Sequence, residues 1–301
     1  MDRTDIICNL SEILNCEAKQ REPLSRHTTF KIGGAADAYI SVTSLSKLST
    51  IVRECEESEI DWMVIGNGSN LLVSDEGYRG AVLRLDGDFR RISLVDDCTV
   101  YCGAGASLAA LCKFALSNGL SGLEFAWGIP GTVGGAVFMN AGAYGGEMKQ
   151  VVFSVSHLTP EGDIGRIESD GLEFGYRTSV YRKNGYIITG ATVKLKKANP
   201  DDIRAAMDDY FGRRSSKQPL EYPSAGSVFK RPEGAFAGAL IEQCGLKGHS
   251  HGGAQVSEKH AGFIINTGGA SANDVKALVR EIQTKVYDET GYTLECELII
   301  L

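Results

Sequence analysis

Two glycine-rich turns are the residues of this chain best suited to chemistry. The longer is Gly128-Ile-Pro-Gly-Thr-Val-Gly-Gly-Ala-Val-Phe-Met-Asn-Ala-Gly-Ala-Tyr-Gly-Gly-Glu147, with seven glycines in twenty residues. Pro130 stiffens its start. Glycine lets backbone approach backbone, or a ligand, with no Cβ in the way. Exposed amides grouped like this make a nest for an anion such as a diphosphate. The shorter turn, Gly66-Asn-Gly-Ser-Asn70, follows the strand-like Trp62-Met-Val-Ile65 and precedes Leu71-Leu-Val73. Two such turns beside apolar strands look like two sides of one large phosphate-bearing cofactor. On the residues alone, a glycine-rich turn region in a crowded fold stays an open reading.

Other patterns point elsewhere and carry less. Gly103-Ala-Gly105 follows a strand-like run and precedes a helical one, as a dinucleotide-binding turn would. The third glycine is missing, because Leu108 stands there. Glu124 lies about where a ribose-binding acid belongs, but not at the end of a convincing parallel strand. His249, His251 and Cys244 fit no familiar zinc spacing, so no metal site is expected. The eight cysteines contain no Cys-x-x-Cys pair and read as small buried hydrophobes.

The elements that must position the turns mix strands and helices without a repeat. Strand-like runs fall at 38–42, 62–65, 71–73, 81–85, 99–102, 151–158, 164–167 and 187–195. Leu45, Leu48, Val52 and Cys55 share a helical face, and a second helix is expected from Leu108 to about Leu116. Asn199-Pro-Asp-Asp202 is a strong helix start, with the helix expected to end near Arg213 and Arg214. The polar stretch from Ser215 to Pro223 reads as a domain boundary. Ser271 and Asp274 make a capping-box-like start for the clearest helix. Its stripe is Val275, Leu278, Val279, Ile282 and Val286, and Gly291 stops it. A final strand is expected over Leu294 to Leu301.

Composition bounds the function. At 301 residues the chain can build two or three domains. Thirty-one Lys and Arg against 38 Asp and Glu give a net charge of −7, which argues against general nucleic-acid binding. No apolar run approaches the roughly 20 residues of a membrane span. The start lacks a secretory signal layout, so a cytoplasmic location is expected.

Many ordered motifs together resemble the UDP-N-acetylenolpyruvoylglucosamine reductases, in the shorter of that family's two types. They are His27-Thr-Thr-Phe-Lys-Ile-Gly-Gly34, Gly66-Asn-Gly-Ser-Asn-Leu-Leu-Val73 and the segment 128–147. Phe174-Gly-Tyr-Arg-Thr-Ser179 and Gln218-Pro-Leu-Glu-Tyr-Pro-Ser-Ala-Gly-Ser-Val-Phe-Lys-Arg-Pro232 follow. Gly245-Leu-Lys-Gly248, Lys259-His-Ala-Gly-Phe263 and Leu294-Glu-Cys-Glu297 complete the set. The resemblance implies an α+β chain: a vanillyl-alcohol-oxidase/PCMH-type FAD-binding region followed by a C-terminal α+β substrate domain. The expected divisions are FAD-binding subdomains over 1–60 and 61–200, and a substrate-binding domain over 201–301.

The implied reaction reduces the enolpyruvyl ether of a UDP-sugar, with FAD as hydride carrier and NADPH as co-substrate. The cofactor residues it implies are Gly66, Asn67, Gly68, Ser69, Asn70, Gly131, Thr132, Gly134, Gly135, Asn140, Gly142 and Ala143. The catalytic set is Arg177, Ser227 and Glu297. Arg177 offers a planar fork for a carboxylate, Ser227 a proton, and Glu297 a donor kept protonated by burial. Tyr176, Lys217 and Lys230 are expected at the substrate, with Arg231 less well supported. Read singly, Arg177 is an ordinary ion-pair partner, Ser227 a turn residue and Glu297 a strand charge. Glu295-Cys296-Glu297 replaces the Glu-Pro-Glu usual in the family, and Pro would fix φ and remove an amide donor. An oxidase of the same flavin fold would share the glycine turns without the other motifs. A silent flavin-binding protein would lose one of the three catalytic residues. Oligomeric state is not legible.

Overall fold

In the computed structural model, residues 3–301 are described, Arg3 by its backbone alone. The first two residues of the expected 1–60 subdomain thus lie outside the described residues. The chain divides into two units, neither of them one continuous stretch. The first runs up to Arg21 and takes in Asp37–Asn67 and Arg79–Arg213; the second joins Glu22–Ala36, Gly68–Tyr78 and Arg214–Leu301.

The first unit is built on two sheets. One has five antiparallel strands in the order Ile164–Glu168, Val152–Leu158, Ile187–Lys194, Thr99–Gly103, Ile92–Leu94. The other has the order Glu17–Pro23, Ala35–Val42, Tyr78–Leu85, Trp62–Ile65, and its last two strands run parallel. Helix Leu45–Glu57 buries Leu48, Ile51, Val52 and Cys55 on one face. That is the face expected from the spacing, except that Ile51 takes part and Leu45 is only partly buried. Helix Leu108–Ser117 is capped by Ser107, whose hydroxyl accepts from the Ala110 amide.

The suspected dinucleotide turn is resolved here. Thr99–Gly103 pairs antiparallel on both sides, so it is no strand of a parallel nucleotide-binding sheet. Its glycines serve close packing. A Cβ on Gly103 would lie 2.1 Å from the Phe89 carbonyl oxygen, and one on Gly105 would lie 2.2 Å from that of Leu85.

The second unit carries a four-stranded antiparallel sheet, ordered Ser224–Ser227, Phe263–Asn266, Ala254–Val256, Ser250–His251. Helix Ala272–Thr290 supplies much of its core. Val275, Leu278, Val279, Ile282 and Val286 are buried, each contributing roughly 1.5–3 kcal/mol. The Ser271–Asp274 capping box is complete, and Gly291 at φ +73° ends the helix in the left-handed region.

Two expectations change. Helix Pro200–Lys217 continues past Arg214, because Ser215 and Ser216 are compatible with a last turn and the first proline comes only at Pro219. The expected strand over 294–301 shrinks to Ile299–Ile300, which pairs parallel with Leu71–Leu72. Residues 294–297 are held instead by one isolated bridge, Phe229 to Cys296.

Every cysteine is a free thiol. Burial pushes the thiols of Cys55, Cys102 and Cys112 up to about 12, so they act as small hydrophobes. His249 and His251 both bond Glu281, at 2.7 and 2.8 Å. Among the described residues no group of three His, Cys, Asp or Glu has metal-binding placement.

Candidate active site

In the first unit, residues 66–67 meet the start of the long glycine segment. A Cβ on Gly66 would lie 2.4 Å from the Thr132 hydroxyl, so only glycine fits against that side chain. The Asn67 amide donates to the Pro130 carbonyl at 3.2 Å. Thr132 caps the short helix Val133–Phe138, its hydroxyl accepting from the Gly135 amide at 3.3 Å. The carbonyl of Gly131 accepts from the Leu108 amide, and the Gly134 amide donates to Ala104. Gly135 is exposed, and a Cβ there would meet only the Thr132 hydroxyl, at 3.5 Å.

Past that helix the segment turns back on itself. Asn140, 1% exposed and at φ +43°, spends its side chain on its own loop. Its amide donates to the Glu147 carboxylate at 2.7 Å and to the Gly175 carbonyl at 2.9 Å. Its oxygen accepts from the Lys149 amide at 2.9 Å. Gly142 and Ala143 pair with Gly146 and Glu147, and a Cβ on Gly142 would lie 2.6 Å from the Gly146 oxygen. Tyr144 stacks on Tyr210 with ring centroids 5.0 Å apart.

The Gly175 carbonyl held by Asn140 opens the turn that carries Arg177. Gly175 and Thr178 exchange backbone hydrogen bonds at 3.1 and 3.3 Å, leaving Tyr176 and Arg177 at the tip. Arg177 has φ +54°, where glycine is usual and a larger residue costs about 1–2 kcal/mol. Non-glycine residues in this region concentrate at functional sites. The Arg182 guanidinium donates to the Arg177 carbonyl at 3.1 Å, and the Ser179 hydroxyl to Phe138 at 2.9 Å. The Arg177 guanidinium lies 5.3 Å from the Tyr176 ring centre and 3.5 Å from the Gly142 oxygen. Thus Arg177, Tyr176, Asn140 and Gly142 come together.

In the second unit, Ser227 and Glu297 come together. Ser227 ends a strand that bulges between Ser224 and itself, with Gly226 at φ +79°. The Glu297 amide donates to Val228 at 2.7 Å, and the Lys230 amide to Glu295 at 2.8 Å. Those two bonds flank the Phe229–Cys296 pair, which is therefore the non-hydrogen-bonded kind. The Asn70 side chain donates to the Glu297 carbonyl at 3.2 Å, and the Asn70 carbonyl accepts from Ile299. Gly68, at φ +60°, lies against the main chain of His27: a Cβ would come 2.3 Å from that oxygen. Among the described residues, the amides of Gly68, Ser69 and Asn70 donate to no backbone carbonyl.

Lys230 bonds the Glu295 carboxylate at 2.9 Å in an ion pair exposed on both sides. Such a pair contributes at most about 1 kcal/mol, so a diphosphate could displace Glu295 at small cost. Lys217 is the exposed last residue of its helix, a position that also suits the helix dipole. Arg231 stacks on Phe236 at 4.4 Å. Burial raises the thiol of Cys296.

These features fit FAD. In the first unit, the bare backbone at Gly135 and the close approach of Gly66 to Thr132 leave the room at the main chain that a diphosphate needs; in the second, taken by itself, the amides at 68–70 have no backbone acceptor. Sequence reading missed the residues that brace the turns. Arg84, Ser179 and the side-chain role of Asn140 act through partners distant in sequence, and only Arg84, a charge inside Ala81–Leu85, left a local sign.

A family model described as an FAD binding domain matches residues 36–168. Another, the C-terminal domain of UDP-N-acetylenolpyruvoylglucosamine reductase, matches residues 218–301. The reductase of that name from Clostridioides difficile (strain 630) is 46% identical over 302 residues, covering 100% of this chain and 99% of that one. The one from Syntrophomonas wolfei is 45% identical and covers 94% of each chain. The crystal structure of the Thermus caldophilus enzyme superposes with a TM-score of 0.83 at 38% identity, covering 95% of this chain and 99% of that one. The fold is α+β, with an FAD-binding region over residues 36–168.

Proposed function

The chain belongs to the UDP-N-acetylenolpyruvoylglucosamine reductase family, and from that premise we propose which of its residues carry the reaction. It is an FAD-dependent oxidoreductase of the UDP-N-acetylmuramate dehydrogenase class. It uses NADPH to reduce UDP-N-acetylglucosamine enolpyruvate to UDP-N-acetylmuramate, in peptidoglycan precursor synthesis. Bound FAD supplies the hydride transfer.

The protein's part begins with charge. Hydride arrival at C3 of the enolpyruvyl group leaves negative charge at C2, spread into the carboxylate. Arg177 holds that carboxylate with its planar fork, and its braced turn fixes the backbone from which the fork extends. Ser227 gives the proton to C2, and Glu297 stands beside it as a neutral donor or proton store. Lys230 exchanges Glu295 for the substrate diphosphate, Lys217 adds a second cation, and Tyr176 packs beside the Arg177 fork. The residues assigned to FAD lie in 66–70 and 128–147. The functional divisions are 1–60 and 61–200 for FAD and 201–301 for substrate, whereas the compact units draw 22–36 and 68–78 in with the C-terminal part. The location is the cytoplasm, where NADPH is supplied; among the described residues no helix is long and apolar enough to cross a membrane. Recovery of the chain in the membrane pellet on fractionation would contradict that location.

The observation that carries the assignment is the 2.7 Å bond from the Glu297 amide to Val228, which sets Glu297 beside the residue after Ser227. Anaerobic mixing with NADPH, then with the enolpyruvyl substrate, tests it through the flavin spectrum. Glu297→Ala is expected to keep flavin reduction and lose reoxidation by substrate. Glu297→Gln keeps a donor and is expected to retain more activity if Glu297 only donates. Wild-type reoxidation in Glu297→Ala would remove Glu297 from the mechanism.

A further inference from the structure

Arg84 occupies an improbable place. It stands in a strand whose neighbours Ala81, Val82, Leu83 and Leu85 are all buried. It pairs in register with Ile65, the last strand residue before the Gly66–Asn67 turn. One guanidinium nitrogen donates to the Gly66 carbonyl at 3.0 Å, the other to the Asn67 side-chain oxygen at 3.3 Å. Asn67 in turn donates to Pro130 at 3.2 Å, so Arg84 braces both glycine turns of this unit.

Both acceptors are neutral. Among the described residues no carboxylate lies within ion-pair distance of Arg84. A partly buried cation without a counter-charge is costly unless an anion comes near it. Two arginines close to it in sequence do have such partners: Arg79 bonds Asp37 at 2.7 Å, and Arg90 bonds Asp86 at 2.9 Å. A structural strut would do its work equally well with a carboxylate alongside.

We propose that Arg84 is a positioning residue for FAD, shaping the Gly66–Asn67 turn and supplying the uncompensated charge that favours a nucleotide diphosphate there. This rests on the assignment of the 66–67 and 130–132 turns to the cofactor. Arginine suits both tasks, because its fork spans two acceptors while its charge stays fixed at any working pH.

The test is FAD titration of the full-length chain stripped of its flavin, followed by fluorescence quenching at low and high salt. Arg84→Met is expected to weaken FAD binding roughly 10- to 100-fold, the range for losing charged hydrogen bonds. Its affinity should also depend less on salt than the wild type's. Arg84→Lys keeps the charge but not the fork, so it should recover the salt dependence and part of the affinity. Loss of affinity with an unchanged salt slope in Arg84→Met would overturn the charge role. Wild-type affinity in Arg84→Met would overturn the whole proposal. Should Arg84→Met fail to fold, wild-type affinity in Arg84→Lys would overturn the role of the fork. Gly66→Ala serves as the control for the underlying assignment, since its Cβ would collide with the Thr132 hydroxyl. If Gly66→Ala binds FAD normally, the turn is no cofactor site; if it alone loses FAD, only the role of Arg84 falls.

Discussion

The two units hold the residues proposed for catalysis by opposite means. In the first, Arg177 sits at the tip of a tight turn in a left-handed conformation, braced by side chains. In the second, Ser227 and Glu297 sit on neighbouring chain segments joined by backbone hydrogen bonds. A braced turn depends on the identity of each bracing residue. A backbone ladder depends on spacing and tolerates changes of side chain between its bonds. The contrast assigns sensitivity: substitutions around Arg177 should reach its geometry, and those around Glu297 should matter only when they touch the reactive groups.

The largest effect expected is from the second unit's own chemistry. Ser227→Ala should leave flavin reduction by NADPH nearly intact, since hydride arrival needs no acid at C2. Reoxidation by the enolpyruvyl substrate should slow by ~10²–10⁴-fold, the usual loss for a general acid. Stopped-flow spectra separate the two steps, and near-normal reoxidation would make Ser227 a turn residue.

The bracing of Arg177 comes next. Asn140→Ala empties a buried position and leaves its partners at Glu147, Gly175 and Lys149 without those bonds. About 1–3 kcal/mol of stability should go with each unsatisfied group, partly offset where water enters. Ser179→Ala removes one bond and should cost about 1 kcal/mol. If the turn needs its braces, kcat falls in both variants, more in Asn140→Ala, even well below their melting temperatures. Melting curves and kcat in the same samples decide it. A stability loss with unchanged kcat would mean that Arg177 finds its place unaided.

Lys230→Ala should act on binding alone. Losing a cation that an exposed pair holds only loosely should raise KM for the UDP-sugar several-fold at low salt, with kcat steady. The effect should shrink as salt rises. An unchanged KM at low ionic strength would return Lys230 to the class of surface charges.

What was legible in the sequence follows the same division. Helix Ala272–Thr290 was legible to the residue, because its cap, stripe and stop are local properties. The glycine-rich segments were legible as places of close approach, as at Gly66 and Gly142, but the short helix Val133–Phe138 inside the longer one was not. The interleaving of the units was not, because segments 22–36 and 68–78 join the C-terminal part through tertiary packing that leaves no periodic mark. The motif containing Arg177 was legible, but its left-handed backbone was not: Arg is a poor residue there, so local preference pointed away from it. The end of the chain misled for a related reason. Leu294 to Leu301 alternates like a strand, yet its neighbours offer pairing only at Cys296 and at Ile299–Ile300.

The smallest effect is expected at Cys296, and it probes the ladder most directly. Proline at this place removes an amide donor and fixes φ. In the bridge to Phe229 the bonds are made by the residues on either side, Glu297 to Val228 and Lys230 to Glu295. The Cys296 amide is therefore not spent on that pairing, and Cys296→Pro removes no rung. Its side chain packs against the second unit's core, and the small pyrrolidine ring can keep much of that contact. The variant should keep kcat within about twofold and shift the melting point little, as replacements free of strain do. The thiol, raised by burial, is mostly protonated at neutral pH, so alkylation there should be slow in the wild type. If Cys296→Pro instead abolishes reoxidation while flavin reduction survives, the position of Glu297 depends on that residue's conformation, and the ladder alone does not hold it.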